Sequence, residues 1–161
     1  MIKKVLPTYL IALTTGSSAA AFAECVDCCE RKLGIDRKLV DFGLPMGIVI
    51  FMPNFALWLV LFGGASAEYA GTVLTPADLL AVAVIGVFLA VAAPPVPGGA
   101  ITCYTILLMQ MNMPMEMLAV AAAVNVVLDF TGTAGHMLAN QIELLQCAAD
   151  LGMLDRKKLE N

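Results

Sequence analysis

One polar stripe runs down an apolar helix near the C-terminus. Asn125, Asp129, Thr133, His136, Asn140, Glu143 and Cys147 recur every three or four residues, and the positions between them are mostly Ala, Val, Leu, Met and Gly. At 3.6 residues per turn those positions share one face. The run from about Met117 to Ala149 exceeds the roughly 20 residues a bilayer crossing needs. A carboxylate such as Asp129 in hydrocarbon costs at least about 2.5 kcal/mol. Its face therefore looks at protein or at a watery cavity, and an ionisable residue at that depth marks a functional site by default. The plainer alternative is that the stripe only joins helices through hydrogen bonds.

Composition agrees with a membrane class. The chain is 60% hydrophobic and only 14% charged, against about 25% charged in soluble domains. A net charge of −4 argues against nucleic-acid binding. No Gly-rich phosphate loop is present, and the single histidine has no nucleophile motif around it, so neither nucleotide chemistry nor hydrolysis is expected.

Charge orients the apolar runs. All nine Lys and Arg fall in three clusters: Lys3-Lys4, Arg31-Lys32 with Arg37-Lys38, and Arg156-Lys157-Lys158. The other connections, 65–78 and 112–116, carry only Glu68, Asp78 and Glu116. Basic loops face the cytoplasm, so the acidic loops face outward. The first run has basic clusters at both ends and Thr14-Thr15-Gly16-Ser17-Ser18 in its middle, which predicts a re-entrant hairpin over 5–30. An alternative reads the same stretch as a signal peptide, with Ala21-Phe22-Ala23 as the cleavage site. The second run passes from basic to acidic loops and so spans once, over 39–64, with Pro53 breaking the helix. The third, 79–112, would be about 50 Å long as one helix, too long for a core of about 30 Å. Pro94-Pro95-Val96-Pro97-Gly98-Gly99 cuts it, and both ends are acidic or neutral. It predicts a second hairpin, entered from outside, unless the Pro/Gly cluster is an ordinary loop between two short crossings. The stripe is the fourth element, a span over 117–149.

The predicted fold is thus an all-α membrane protein, an inverted repeat of re-entrant hairpin plus broken span forming one module over 1–161. In secondary transporters that pattern places the binding site near the midplane. Irregular backbone at that depth must line a cavity or be buried in protein, so both hairpin tips, the break at Pro53 and the stripe are expected to meet.

Several motifs then resemble the dicarboxylate/amino-acid:cation symporter family, the glutamate-transporter family. Thr15-Gly16-Ser17-Ser18-Ala19-Ala20 resembles its serine-rich first hairpin tip. Leu33-Gly34-Ile35-Asp36 and Phe42-Gly43-Leu44-Pro45-Met46-Gly47 resemble the next loop and helix start. Val91 to Ala100 resembles the second tip, and Leu128-Asp129 with Gly132-Thr133-Ala134 the last helix. The resemblance implies the C-terminal half of such a symporter: a mobile transport domain that carries substrate and cation by an elevator motion. The family's N-terminal scaffold helices have no counterpart here, so a fragment, a split-gene product or a divergent relative is expected.

The resemblance implies roles residue by residue. Asp129 aligns with the aspartate that holds the substrate amino group, and Thr133 lines that pocket. Ser17, Ser18 and the backbone of Val96, Gly98 and Gly99 form the tips around substrate, with His136 beside them. Gly132 stands where the family has an arginine for acidic side chains. Losing that bidentate partner makes an acidic substrate doubtful and favours a neutral or smaller one. The family's cation-site break reads Phe51-Met52-Pro53-Asn54-Phe55, and its asparagine and second aspartate appear as His136 and Asn140. Met52, Asn54 and Asn140 are left as weak cation ligands, with Na+ or H+ as coupling ion and no other cofactor. His136 either carries a proton or only hydrogen-bonds.

The function expected is cation-coupled symport of an amino acid or small carboxylate, not enzymatic catalysis. The partners expected are that substrate, the lipid bilayer of the cell membrane, crossed several times, and a scaffold subunit or further copies of the chain. Two other classes stay open. One is a non-transporting remnant. The other is a membrane thiol or metal protein built on Cys25, Cys28 and Cys29, which would share a helical face.

Overall fold

The computed structural model describes residues 2–93 and 99–160. The chain is all helical: α1 (Ile2–Thr15), α2 (Ser18–Asp27) running into a π-helical turn (Cys28–Lys32), α3 (Arg37–Ile50), α4 (Pro53–Tyr69), α5 (Pro76–Ala92), α6 (Gly99–Gln110), α7 (Met117–Asp150) and α8 (Arg156–Glu160). Among the described residues, extended pairing is limited to one bridge between Ile35 and Leu154. Arg37–Tyr69 and Met117–Asp150 are long and apolar enough to cross a membrane. The predicted spans 39–64 and 117–149 lie inside them. Large apolar side chains point outward along these elements, among them Phe42, Leu61, Phe88 and Val127, a distribution suited to lipid rather than water.

The chain divides into two compact units, Met1–Phe51 with Asp129–Asn161, and Met52–Leu128. In the first, α1 and α2 pack closely against each other. Gly16 makes the turn at φ +60°, a left-handed conformation that glycine adopts without steric cost. Ser17 then caps α2, its Oγ accepting from Ala20 N at 3.2 Å. At the other end of the pair, Lys4 Nζ donates to Lys32 O, Lys158 O and Leu159 O at 3.0, 2.6 and 2.9 Å. An ammonium there satisfies carbonyls at two helix ends and suits their negative dipoles. Gly34, at φ +79°, lies so close to Asp155 that a Cβ would come within 2.5 Å of its carbonyl oxygen. That approach lets Asp36 N donate to Met153 O and Asp155 N to Gly34 O, at 2.9 and 2.8 Å, tying the loop before α3 to the chain before α8. The core beneath holds Val5, Ala12, Cys25, Val40, Leu44, Met137 and Ala148.

The break in the second run falls where the proline puts it. A residue before proline avoids the helical region. Phe51 (φ −96°, ψ 85°) and Met52 (φ −116°, ψ 63°) both leave it, and Pro53 opens α4.

The second unit packs α4, α5 and α6 around Leu59, Val82, Tyr104 and Leu107. Tyr104 is flanked by Phe62, with ring centroids 4.8 Å apart, and by Phe55 at 6.0 Å, spacings typical of aromatic pairs. Thr75 and Asp78 form a capping box before α5, and the Thr75 hydrogen bonds hold the Asp78 carboxyl below the usual carboxylate range. The helices α5 and α6 occupy the stretch predicted as the second hairpin. Its turn, 94–98, lies outside the described residues.

Candidate functional site

The polar stripe on α7 does not behave as one surface. Thr133 is half-buried, His136 and Asn140 are buried, and Asp129, Glu143 and Cys147 are exposed. The described part of the site belongs to the first unit, where α7 from Asp129 onward meets the α1–α2 turn and the end of α3.

At the turn, Thr133 Oγ1 donates to Gly16 O at 3.5 Å. A Cβ at Gly16 would lie 3.2 Å from the Phe130 ring, so the missing side chain lets the turn seat against α7. Ser17 sits at this turn as the cap of α2, and Ser18 is the first residue of that helix; both are half-buried. Asp129 lies one helical turn before Thr133. The α1–α2 turn and the stripe thus meet near Thr133.

Deeper along α7 the end of α3 is held by two side chains. His136 Nε2 lies 3.1 Å from Ile48 O. Asn140 Nδ2 donates to Phe51 O at 3.4 Å and to His136 O at 3.0 Å. A Cβ at Gly47 would overlap Asn140 Oδ1, and one at Gly43 would come within 2.5 Å of Leu144 Cδ1. Gly43 and Gly47 are one helical turn apart, so the small-residue face of α3 admits Asn140 and Leu144 of α7. Close approach through small residues is the usual way helices pack in membranes.

Gln141 belongs to none of the motifs read from the sequence. It is buried, and its Nε2 donates to Thr8 Oγ1 at 3.1 Å and to Cys25 Sγ at 3.2 Å. Its Oε1 has no hydrogen-bond partner among the described residues. The only sequence signal is that it shares a helical period with Met137, Leu144 and Ala148, and the structure buries all four. The glutamine therefore interrupts a core face rather than the polar stripe.

Cys25, Cys28 and Cys29 are all buried beside this contact and unpaired by disulfides, and Cys28 Sγ donates to Lys4 O at 3.2 Å. Among the described residues no three His, Cys, Asp or Glu side chains are grouped to hold a metal ion. Of the remaining predicted residues, Met52 and Asn54 flank Pro53 in the second unit, and Gly99 is buried at the start of α6. Val96 and Gly98 lie outside the described residues.

Comparison with known proteins adds a lineage to this geometry. The model of a family described as the sodium:dicarboxylate symporter family matches residues 1–142. The chain is 26% identical over 136 residues to excitatory amino acid transporter 2 of Homo sapiens, covering 84% of this chain and 24% of that protein. It is 26% identical over 156 residues to excitatory amino acid transporter 4 of Rattus norvegicus, covering 97% and 27%. Neutral amino acid transporter A of Bos taurus is 26% identical over 129 residues, covering 80% and 24%. The chain thus spans about a quarter of the length of these relatives.

Proposed function

Because the chain belongs to the sodium:dicarboxylate symporter family, we propose that it forms the substrate-binding transport module of a secondary transporter for a small neutral amino acid, driven by a gradient of Na+ or H+. Membership makes it a membrane transport protein rather than an enzyme, with a small-molecule substrate and a lipid environment. The observation that carries the finer reading is the seating of the Gly16–Ser17 turn on α7 at Phe130 and Thr133, one turn beyond Asp129.

That placement suits the two charged ends of an amino acid. The Asp129 carboxylate takes the ammonium. The first amides of a helix lack intrahelical partners and carry the positive end of its dipole, so the start of α2 at Ser17 and Ser18 takes the carboxylate. Thr133 and His136 line the side-chain region. The backbone of Val96, Gly98 and Gly99 is assigned to substrate, and Met52 and Asn54 to a cation, on the resemblance alone. Gly132 brings no guanidinium to pair with an acidic side chain. The relatives include excitatory amino acid transporters and neutral amino acid transporter A at the same 26% identity, so the neutral substrate rests on Gly132.

In this reading the two helix pairs, α1–α2 and α5–α6, are re-entrant and enter the cell membrane from opposite faces. Each is followed by a crossing, which makes an inverted repeat of hairpin and span within one module. A scaffold, from other helices or from further copies of the chain, anchors the moving part.

The test is equilibrium binding to the purified chain in lipid nanodiscs, using radiolabelled serine and alanine. Each is expected to bind saturably and to displace the other, with glutamate and aspartate competing at least tenfold more weakly. Tighter competition by the acidic amino acids would overturn the substrate assignment. Absence of any saturable amino-acid binding would overturn the module's role.

A further inference from the structure

The end of a half-helix inside a membrane is an electrostatic problem. Its last carbonyls have no intrahelical partner and carry the negative end of the dipole. In transporters with broken helices, such ends characteristically coordinate Na+. The family described by its sodium dependence implies such an ion. The end of α3, from Ile48 to Phe51, is where the first unit would offer carbonyls to it.

The residues there do not fit a metal ion. A carbonyl oxygen has no proton to give, so the His136 nitrogen on Ile48 O must be the donor. That places a proton on Nε2. Nδ1 is left as an acceptor, and Asn140 Nδ2 faces it at 3.3 Å. The same amide nitrogen faces Phe51 O and His136 O. The amide's two protons are shared among these three acceptors, and each of the two α3-end carbonyls still faces a donor. Both side chains are buried, and Gly47 leaves the room that Asn140 occupies. No Asp or Glu occurs between 42 and 67, or between 130 and 142. A hard cation therefore finds nitrogen donors on its oxygens and no carboxylate in these segments to neutralise it.

We propose that His136 and Asn140 stand in for a metal cation at the end of α3, so that the carbonyls of Ile48 and Phe51 are held by the protein's own N–H groups and do not bind Na+. The inference rests on the transporter reading only for the membrane setting, and its test reads folding instead of substrate binding. Failure of amino-acid binding would count against the transporter reading and leave this result untouched.

The experiment is thermal unfolding of the purified full chain in detergent, with NaCl titrated against choline chloride at constant ionic strength. Wild type is expected to show no sodium-specific shift of the midpoint. Asn140→Asp removes the amide donor and sets a carboxylate against the carbonyls. Its midpoint should fall in choline and recover as Na+ is added, because the ion then supplies the missing positive charge. His136→Ala should lower the midpoint equally in both salts. A saturable Na+-dependent rise in wild type that His136→Ala or Asn140→Ala abolishes would overturn the proposal. A rise that persists in both alanine variants places the ion elsewhere and leaves the α3 end as proposed. If Asn140→Asp does not fold in either salt, binding of radioactive sodium to wild type and Asn140→Ala decides. Site-specific binding lost in the variant overturns the proposal, and equal binding in both upholds it.

Discussion

Asp129→Asn is expected to abolish amino-acid binding while leaving the protein folded and inserted. The substitution keeps the shape of the side chain and removes its charge. A carboxylate at membrane depth costs about 2.5–3.5 kcal/mol on insertion scales, so neutralising it should not hinder insertion. Asp129 is exposed on α7 and outside the buried core of its unit, so the core packing has no call on it. Binding is a different matter. In the bound state the proposed partner is a substrate ammonium, and removing one member of a desolvated ion pair costs about 3–5 kcal/mol. At 1.4 kcal/mol per factor of ten, that is a loss of about a hundredfold or more. The check is equilibrium binding of radiolabelled serine beside thermal unfolding of the same preparation. Lost binding with an unchanged unfolding midpoint is the predicted pair of results. Binding that survives the substitution would remove Asp129 from the site. An unchanged affinity with a shifted midpoint would make it a packing residue.

Gly47→Ala should lower the unfolding midpoint clearly, although alanine normally favours a helix over glycine by about 1 kcal/mol. The added Cβ would overlap Asn140 Oδ1. Because that atom ends a side chain, the amide can swing away, but only by giving up its bonds to Phe51 O and His136 O. Leaving buried polar groups unpaired costs about 1–3 kcal/mol each, which outweighs the gain in helix propensity. Gly64 in α4 is the control, since a Cβ there meets nothing within 4 Å. Gly64→Ala should be neutral or mildly stabilising. Equal effects of the two substitutions in thermal unfolding would contradict the packing described for α3 and α7.

Several of these features are legible in the amino-acid sequence for definite physical reasons. Pro53 forces its predecessors out of the helix, so the end of α3 was predictable from one residue. The turn at Gly16 and Ser17 was legible because glycine and a capping serine carry their geometry locally. The stripe on α7 announced itself by its period, but the period could not say which members would be buried. Burial is decided by neighbours distant in sequence: Ile48 and Phe51 receive His136 and Asn140, whereas Glu143 and Cys147 find no such cover. Gln141 has no signature of its own in the sequence, because beside Asn140 and Glu143 it looks like one more polar residue on the flank of the stripe. Its role depends on Thr8 and Cys25, more than a hundred residues away. Gly43 and Gly47 were read as part of a family motif, while their physical purpose, room for Leu144 and Asn140, required the packed helices.

The account as a whole depends on two helix pairs that enter the membrane from opposite faces. Single-cysteine accessibility labelling of the reconstituted chain tests this most directly, with substitutions at Glu68, Glu116 and Lys38 in a background where the native cysteines are replaced. Glu68 in the last turn of α4 and Glu116 just before α7 stand on either side of α5 and α6, and Lys38 is in the first turn of α3 beside the basic cluster. The predicted result is labelling of 68 and 116 from the outer face and of 38 from the inner face alone. Labelling of 68 and 116 from opposite faces would make the α5–α6 segment cross the membrane once and would contradict the inverted repeat.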